Sequence, residues 1–306
     1  MCQLSFINLK NKKFNSLMSL FLASHNSILN PDGFGVFVND RIYKSDMPGY
    51  MITNIKQICS TDNPIMMHVR KASVNSKKNE NKAHPFAFGC YILMHNGTLE
   101  PKSEKIPDDM IDSEYFALEL SKKGNRTVEA LQETMKNFKG KFAFLIYNRD
   151  ENSYYAVRGK TADLNIVNVT IGDTSGFIIN TETDTLVRAL IMLENFYPNM
   201  KILKIEELDK ESIYKINHDG IEKVGELKEN ERVVYELRSF GKPWYYYEYG
   251  INRDKDIEIL MDKLLESRMK TFEDLLFSFY NFYKVSPLSV SFEKIISFLG
   301  TFCECD

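Results

Sequence analysis

The sequence lacks a strong net charge, a long apolar run and a signal for secretion. Its 306 residues carry a formal net charge of −3, and no basic block stands out. Nucleic-acid binding therefore has little support. No apolar run approaches the roughly 20 residues that a membrane-spanning helix needs. The first 25 residues contain no apolar stretch followed by a cleavage site, so no signal peptide is expected.

Cysteine is also scarce, and its five positions show no framework spacing. An odd, unevenly spaced set argues against a disulfide scaffold and favours a reducing, cytoplasmic location. The pair Cys303 and Cys305 is interpreted as part of a tail rather than as a metal site. We find no GxGxxG segment, no P-loop, no zinc-type pair of CxxC motifs and no internal repeat.

The order of the predicted elements indicates an α+β fold of packed layers rather than a Rossmann unit. Residues 33–45 have the pattern of a hairpin that turns at Asn39-Asp40. The other predicted elements are strands at 2–8, 64–72, 90–98, 141–148, 153–159, 164–172 and 176–182, helices at 112–123, 127–138 and about 184–195, and further strands to about 224.

The pattern changes near residue 250, where amphipathic segments predict two or three helices. We therefore predict a main domain over residues 2–248 and a small helical extension over 249–306.

Cys2 is the first candidate catalytic residue. If Met1 is removed, Cys2 carries a thiol and a free α-amine, whose reference pKa values of about 8.5 and 7.7–8.0 lie near neutrality. The amine could then take the proton of the thiol without a separate histidine. The alternative is a cysteine that stands at position 2 by chance.

Three further segments carry polar groups suited to a small substrate. Arg70 ends a predicted strand and could hold a carboxylate through two hydrogen bonds, or form a structural salt bridge. The side chain of Asn96 and the N–H of Gly97 could form an oxyanion hole, or the pair could be a turn between strands. Asp112 begins a predicted helix and could bind an ammonium group, cap the helix or interact favourably with the helix dipole.

These residues lie in motifs that follow one another along the chain: Cys2, "HVRKAS" at 68–73, "AHPF" at 83–86, "HNGTL" at 95–99 and "DSE" at 112–114. The ordered set resembles the class II glutamine amidotransferases of the N-terminal-nucleophile hydrolase superfamily. The segment "NPDGFGVFV" at 30–38 also resembles the D-G-W-G segment of the stand-alone branch, with Phe34 in place of tryptophan. The resemblance covers about residues 2–215.

The resemblance implies a four-layer αββα sandwich, in which two antiparallel sheets pack between helices. It also implies that Cys2 attacks the side-chain amide of glutamine and forms a thioester. Asn96 and Gly97 would then hold the oxyanion, Arg70 the α-carboxylate and Asp112 the α-ammonium of the substrate.

The same resemblance adds His84 and Ser73 to the substrate-binding group. It requires neither a cofactor nor a metal, so the three motif histidines, His68, His84 and His95, are expected to make structural hydrogen bonds. Departures from the usual pattern at Gln3, Phe34 and Val74-Asn75 leave the acyl donor open.

Ammonia-using domains of known members are larger than the roughly 90 residues that follow residue 215. We therefore expect an amidase for glutamine or a γ-glutamyl amide, which releases ammonia or an amine, with a partner synthetase in trans as one acceptor. The expected partners are a small molecule and that ammonia-accepting protein, without nucleic acid or membrane. The alternatives are a catalytically silent binding subunit of the same fold and an N-terminal-cysteine amidase of another substrate class.

Overall fold

The computed structural model describes residues 2–227, apart from 53, 73–78, 184–185, 188, 191–192 and 194–196. The chain divides into two compact units, Met1–Val187 with Asn199–Arg232 and Arg188–Pro198 with Val233–Asp306. Almost all of the second unit lies outside the described residues, so the architecture given below is that of the first. The predicted helical extension at 249–306 lies outside them too, and its boundary stays a prediction.

Thirteen strands and four α-helices are described in full. The strands are β1 (Gln3–Asn8), β2 (Phe34–Val38), β3 (Arg41–Ser45), β4 (Ile65–Val69), β5 (Phe86–Phe88), β6 (Tyr91–Pro101), β7 (Phe138–Asn148), β8 (Ser153–Arg158), β9 (Asn165–Ile171), β10 (Thr174–Asn180), β11 (Met200–Glu207), β12 (Ser212–Ile216) and β13 (Ile221–Glu226). The helices are α1 (Lys12–Leu29), α2 (Ile55–Ile58), α3 (Asp112–Ser121) and α4 (Thr127–Met135). In the part of the chain with described placement, no helix is long and apolar enough to cross a bilayer.

The strands form two antiparallel sheets. The seven-stranded sheet has the order β11-β9-β10-β1-β4-β2-β3, and the six-stranded sheet has the order β13-β12-β8-β7-β6-β5. Helix α1 packs on β1 and β4 of the first sheet, whereas α3 and α4 pack on the second. The predicted α+β fold with four αββα layers is therefore confirmed.

The hairpin predicted at 33–45 is confirmed as β2 and β3, which pair in antiparallel register. Asn39 and Asp40 connect them with φ angles of 52° and 57°. Both residues tolerate the left-handed region because their short polar side chains bond locally. The turn thus has the two consecutive positive φ values that suit a tight two-residue hairpin.

One apolar core lies between the two sheets, and a second lies between the six-stranded sheet and its helices. The inter-sheet core takes alternate residues from three strands: Leu4 and Phe6, Met66, and Ile92 and Met94. Leu93 and Leu99 of β6 belong to the outer core with α3 and α4. Because successive side chains of a strand point to opposite faces, positions 2, 68, 70 and 96 continue the inward-facing rows.

The first strand is fixed on both sides. Strand β1 pairs with β4, where Gln3 lies opposite Val69, and with β10, where Ser5 lies opposite Asn180. Just beyond β10, the Leu4 N–H donates to Thr181 Oγ1 at 3.0 Å, and the Thr181 N–H donates to the Leu4 carbonyl at 3.2 Å. A chain start that would otherwise fray is therefore held in place.

Helix α1 is not predicted by the sequence analysis. Its buried apolar residues, Phe14, Leu17, Met18, Phe21 and Leu22, have the regular spacing of one helix face, so the helix signal is present in the sequence. The buried face also includes the polar residues Asn15 and Ser16. Asn15 donates to the Thr61 carbonyl at 2.8 Å, and Ser16 donates to the Lys56 carbonyl at 2.8 Å. Because their hydrogen bonds are satisfied by neighbouring backbone, polar side chains can occupy the buried face of the helix.

Strand β2 approaches the His84 backbone so closely that Gly35 has no room for a side chain. A Cβ atom at Gly35 would lie 1.7 Å from the His84 carbonyl oxygen. The obstacle is backbone, so it cannot rotate away as a side chain would. Gly35, the second glycine of "DGFG", is therefore required for this contact.

Replacement of Gly35 by alanine should destabilise the fold by about 3 kcal/mol or more, because the strand must separate from the His84 segment. The matched control is Gly220→Ala, since no atom of the described residues lies within 4 Å of a Cβ atom there. Urea unfolding midpoints of the two variants provide the measurement. Equal midpoints would contradict this steric account.

Candidate functional site

The candidate site lies at one end of the inter-sheet core, where the inward-facing side chains of β1, β4 and β6 end. Cys2 precedes β1, Arg70 follows β4, and Asn96 lies within β6. The two sheets are joined at this end by a hydrogen bond of 3.1 Å from His68 Nε2 to the His95 carbonyl. Cys2, Arg70 and Asn96 therefore occupy the same layer, between the sheets.

Cys2 is half-buried and contacts the backbone of Lys71. The Lys71 N–H donates to Cys2 Sγ at 3.3 Å, and Sγ lies 3.5 Å from the Lys71 carbonyl, which can accept the thiol hydrogen. Burial raises the pKa of the Cys2 thiol, while the Lys71 N–H, the positive amino terminus and Arg70 lower it in part, and Asp112 raises it. The charges of Arg70 and Asp112 thus both act on this sulfur.

Arg70 is held by the segment that precedes β2. The Arg70 N–H donates to the Gly33 carbonyl at 2.8 Å, and its guanidinium donates to the Asp32 carbonyl at 3.3 Å. The Asp32 carboxylate in turn accepts the Ala72 N–H at 2.9 Å. The "DGFG" segment, which the sequence connects only with a family resemblance, thus holds the backbone on both sides of Arg70.

Asn96 and Gly97 lie inside the long strand β6, opposite Ala143 and Phe142 of β7. The alternative interpretation of this pair as a turn between strands is therefore wrong. Asn96 Oδ1 is buried and has no hydrogen-bond partner in the described part of the chain. The unpaired atom is an acceptor, whereas an oxyanion would be bound by the Nδ2 donor of the same amide.

Gly97 is required by the close approach of β7. Its φ angle is 149°, and a Cβ atom would lie 1.9 Å from the Lys141 carbonyl oxygen. Only glycine fits both the backbone angle and the contact. The asparagine that precedes it is thereby placed on an irregular stretch of strand rather than in a flexible loop.

Asp112 is the first residue of α3, and the N-cap position is Ile111, whose side chain makes no capping bond. Asp112 Oδ2 accepts the Leu99 N–H at 2.8 Å, and Oδ1 accepts the Ser113 N–H at 2.8 Å. The carboxylate therefore joins the helix to β6, two residues beyond Gly97. The interpretation of Asp112 as a simple N-cap is wrong.

The three motif histidines are buried. The His84 ring lies against the His68 ring, with centroids 3.9 Å apart and planes tilted by 36°. Burial lowers the pKa of His68 to about 3, the pKa of His84 well below its usual value, and that of His95 also below its usual value. All three are therefore neutral at pH 7. His95 Nδ1 lies 2.8 Å from Ser113 Oγ, a contact that the sequence analysis missed.

His84 and Ser73 complete the set of predicted site residues. His84 is buried against His68, and neither of its ring nitrogens has a hydrogen-bond partner among the residues described. Ser73 lies outside the described residues. Among residues of described placement, no group of three or more histidine, cysteine, aspartate or glutamate side chains could hold a metal ion.

Comparison with solved structures identifies the fold. Glutamine phosphoribosylpyrophosphate amidotransferase from B. subtilis, complexed with ADP and GMP, aligns with a TM-score of 0.51 at 16% identity, over 75% of this chain and 50% of that chain. A structure of the allosteric regulatory enzyme of purine biosynthesis aligns with a TM-score of 0.53 at 15% identity, over 75% of this chain and 50% of that chain. The chain thus spans about half the length of these enzymes.

At this level of identity the likeness concerns the fold. The chain has the fold of the N-terminal-nucleophile glutamine amidotransferases, as its motifs predict. No protein-family model matches the chain, and a search of curated proteins also finds no match.

Acid should destabilise the protein through His68. Its pKa is lowered to about 3 in the folded state and is near 6.5 when unfolded, so the unfolded chain binds the proton first. The stability contributed by neutral His68 is complete above pH 6.5 and is lost as the pH falls towards 3. Between pH 7 and pH 5 the loss from this residue should be about 2 kcal/mol.

Denaturant unfolding at pH 7 and pH 5 measures this effect. In the variant His68→Gln the pH-dependent loss should shrink by about 2 kcal/mol. In the control His218→Gln, which removes an exposed histidine, the pH-dependent loss of stability should be the same as in the wild type. An unchanged pH dependence in His68→Gln would contradict the expectation.

Proposed function

We propose that the protein is an amidase that hydrolyses the side-chain amide of glutamine, or a related γ-glutamyl amide, through a thioester on Cys2. One observation carries the proposal most directly. The half-buried thiol of Cys2 lies at the start of a strand that is paired on both sides, and the charges of Arg70 and Asp112 act on its pKa. The glutamine amidotransferase fold of the chain supports the same chemistry.

The two charged groups suit the two ends of an amino-acid substrate. The guanidinium of Arg70 can bind the α-carboxylate through parallel hydrogen bonds. The carboxylate of Asp112 can bind the α-ammonium. A zwitterion held between the two would extend its side-chain amide away from both groups, and the sulfur of Cys2 can meet that amide carbon.

The thiol requires a base. Burial raises the pKa of Cys2, so the protonated form dominates at neutral pH. Once Met1 is removed, the α-amine belongs to Cys2 itself and can take the thiol proton. We therefore propose removal of Met1 as the step that activates the enzyme.

The reaction then proceeds in two halves. The sulfur of Cys2 adds to the amide carbon, and the side chain of Asn96 with the N–H of Gly97 stabilises the resulting oxyanion. The carbon–nitrogen bond breaks, and ammonia leaves with the proton that the α-amine carries. Water adds to the thioester carbon, the carbon–sulfur bond breaks, and glutamate leaves as the Cys2 thiol is restored.

Ammonia either leaves the enzyme or passes to a separate protein that uses it. We propose a partner synthetase in trans as that acceptor, in a cytoplasmic setting. Co-purification with proteins of the same cell tests whether such a partner binds.

Replacement of Cys2 by alanine should reduce glutamine hydrolysis by at least about 10³-fold, because the nucleophile is lost. The control Cys90→Ala removes another incompletely buried thiol and should retain activity. Ammonia release gives the rate, and intact mass after reaction with a glutamine-like electrophile shows whether Cys2 is modified. Wild-type protein that lacks Met1 but neither releases ammonia nor gains mass would contradict the proposal.

Replacement of Asn96 by alanine should lower kcat by about 10²–10³-fold, because one oxyanion donor is lost. The unfolding free energy should change little, since Asn96 Oδ1 has no partner within the described structure. Steady-state kinetics with urea unfolding separates the two effects. A loss of activity that merely follows a loss of folded protein would count against an oxyanion role.

A further inference from the structure

A buried hydrogen-bonded chain connects the two sheets with the carboxylate of Asp112. It begins with His68, whose Nε2 donates to the His95 carbonyl at 3.1 Å. The side chain of His95 points to the opposite face of β6, where its Nδ1 lies 2.8 Å from Ser113 Oγ. Ser113 Oγ lies 3.3 Å from Asp112 Oδ1, which completes the chain.

The hydroxyl hydrogen of Ser113 can serve only one of its two neighbours. A donor to a charged carboxylate forms a stronger bond than a donor to a neutral ring nitrogen. His95 Nε2 lies 3.5 Å from the Lys141 carbonyl, a much longer contact than the 2.8 Å at Nδ1. With the proton of neutral His95 on Nε2, which faces the Lys141 carbonyl, Ser113 would donate to His95 Nδ1. With the proton on Nδ1, His95 donates to Ser113 Oγ, and Ser113 donates to Asp112 Oδ1.

Ser113 thereby fixes the orientation of the carboxylate. Asp112 Oδ1 accepts both the N–H and the hydroxyl of Ser113, and Oδ2 accepts the Leu99 N–H. With a donor on each oxygen, the carboxylate plane has little freedom to rotate. A carboxylate has about four lone-pair sites, so among the described residues one of them has no donor and can accept from a ligand.

We propose that Ser113 is a positioning residue for substrate recognition. This proposal rests on the function proposed above: Ser113 directs the remaining lone pair of Asp112 towards the α-ammonium group of the substrate. With its proton on Nδ1, His95 holds the Ser113 hydroxyl in the donating direction. Ser113 therefore controls selection of the α-amino group without touching the substrate.

The test compares glutamine with glutaramic acid, which is glutamine without its α-amine. Calorimetry on the Cys2→Ala background gives both affinities without turnover. The affinity ratio of glutamine to glutaramic acid should fall about 10-fold when Ser113→Ala is added. Because both ligands are measured on the same protein, partial unfolding of the variant cancels from the ratio.

Two further variants make the result specific. Ser121→Ala removes a hydroxyl from the same helix that bonds only to the Leu118 carbonyl in the described structure, and the ratio should stay at its starting value. Ser113→Thr keeps the hydroxyl and should restore most of the ratio.

An unchanged ratio in Ser113→Ala would overturn the positioning role and leave the proposed function intact. Wild-type protein without Met1 that neither hydrolyses glutamine nor gains mass with the glutamine-like electrophile would overturn the proposed function, and the substrate role of Ser113 with it. The two failures are therefore seen in separate measurements.

Discussion

The site depends on one constraint, which is that the first strand runs through the middle of a sheet. With β4 on one side and β10 on the other, β1 can neither shift its register nor fray. Gln3 opposite Val69 then brings Cys2 next to the end of β4 and to Arg70. Cys2 is therefore held in a fixed position by the hydrogen bonds between β1 and its two neighbouring strands.

Neutral histidines complete the connection between the layers. The rings of His68 and His84 lie against each other between the sheets near Arg70, and burial keeps both uncharged. A protonated ring there would add a positive charge beside the guanidinium in a poorly solvated space. The side-chain charges that act on the Cys2 sulfur therefore come from Arg70 and Asp112, which are suited to a zwitterion.

Much of the fold could be predicted from the sequence because β-rich runs and two helix starts are local signals. The motif residues could be named for the same reason, since each motif is short and continuous. Helix α1 could have been predicted as well, since Phe14, Leu17, Met18, Phe21 and Leu22 have the spacing of one helix face. The contact of Ser113 with His95 was missed because it joins a helix to the outward face of a strand, which no local pattern records.

The pairing of β1 with β10 can form only after most of the described chain has been synthesised. Ser5 meets Asn180 across 175 positions of sequence. At about 5–20 residues per second, roughly 10–35 s separate translation of the two. A nascent chain therefore presents its amino terminus without a β10 neighbour throughout that interval, and non-local pairing of this kind forms slowly. Residue 2 is therefore accessible to modifying enzymes before β10 completes the sheet around β1.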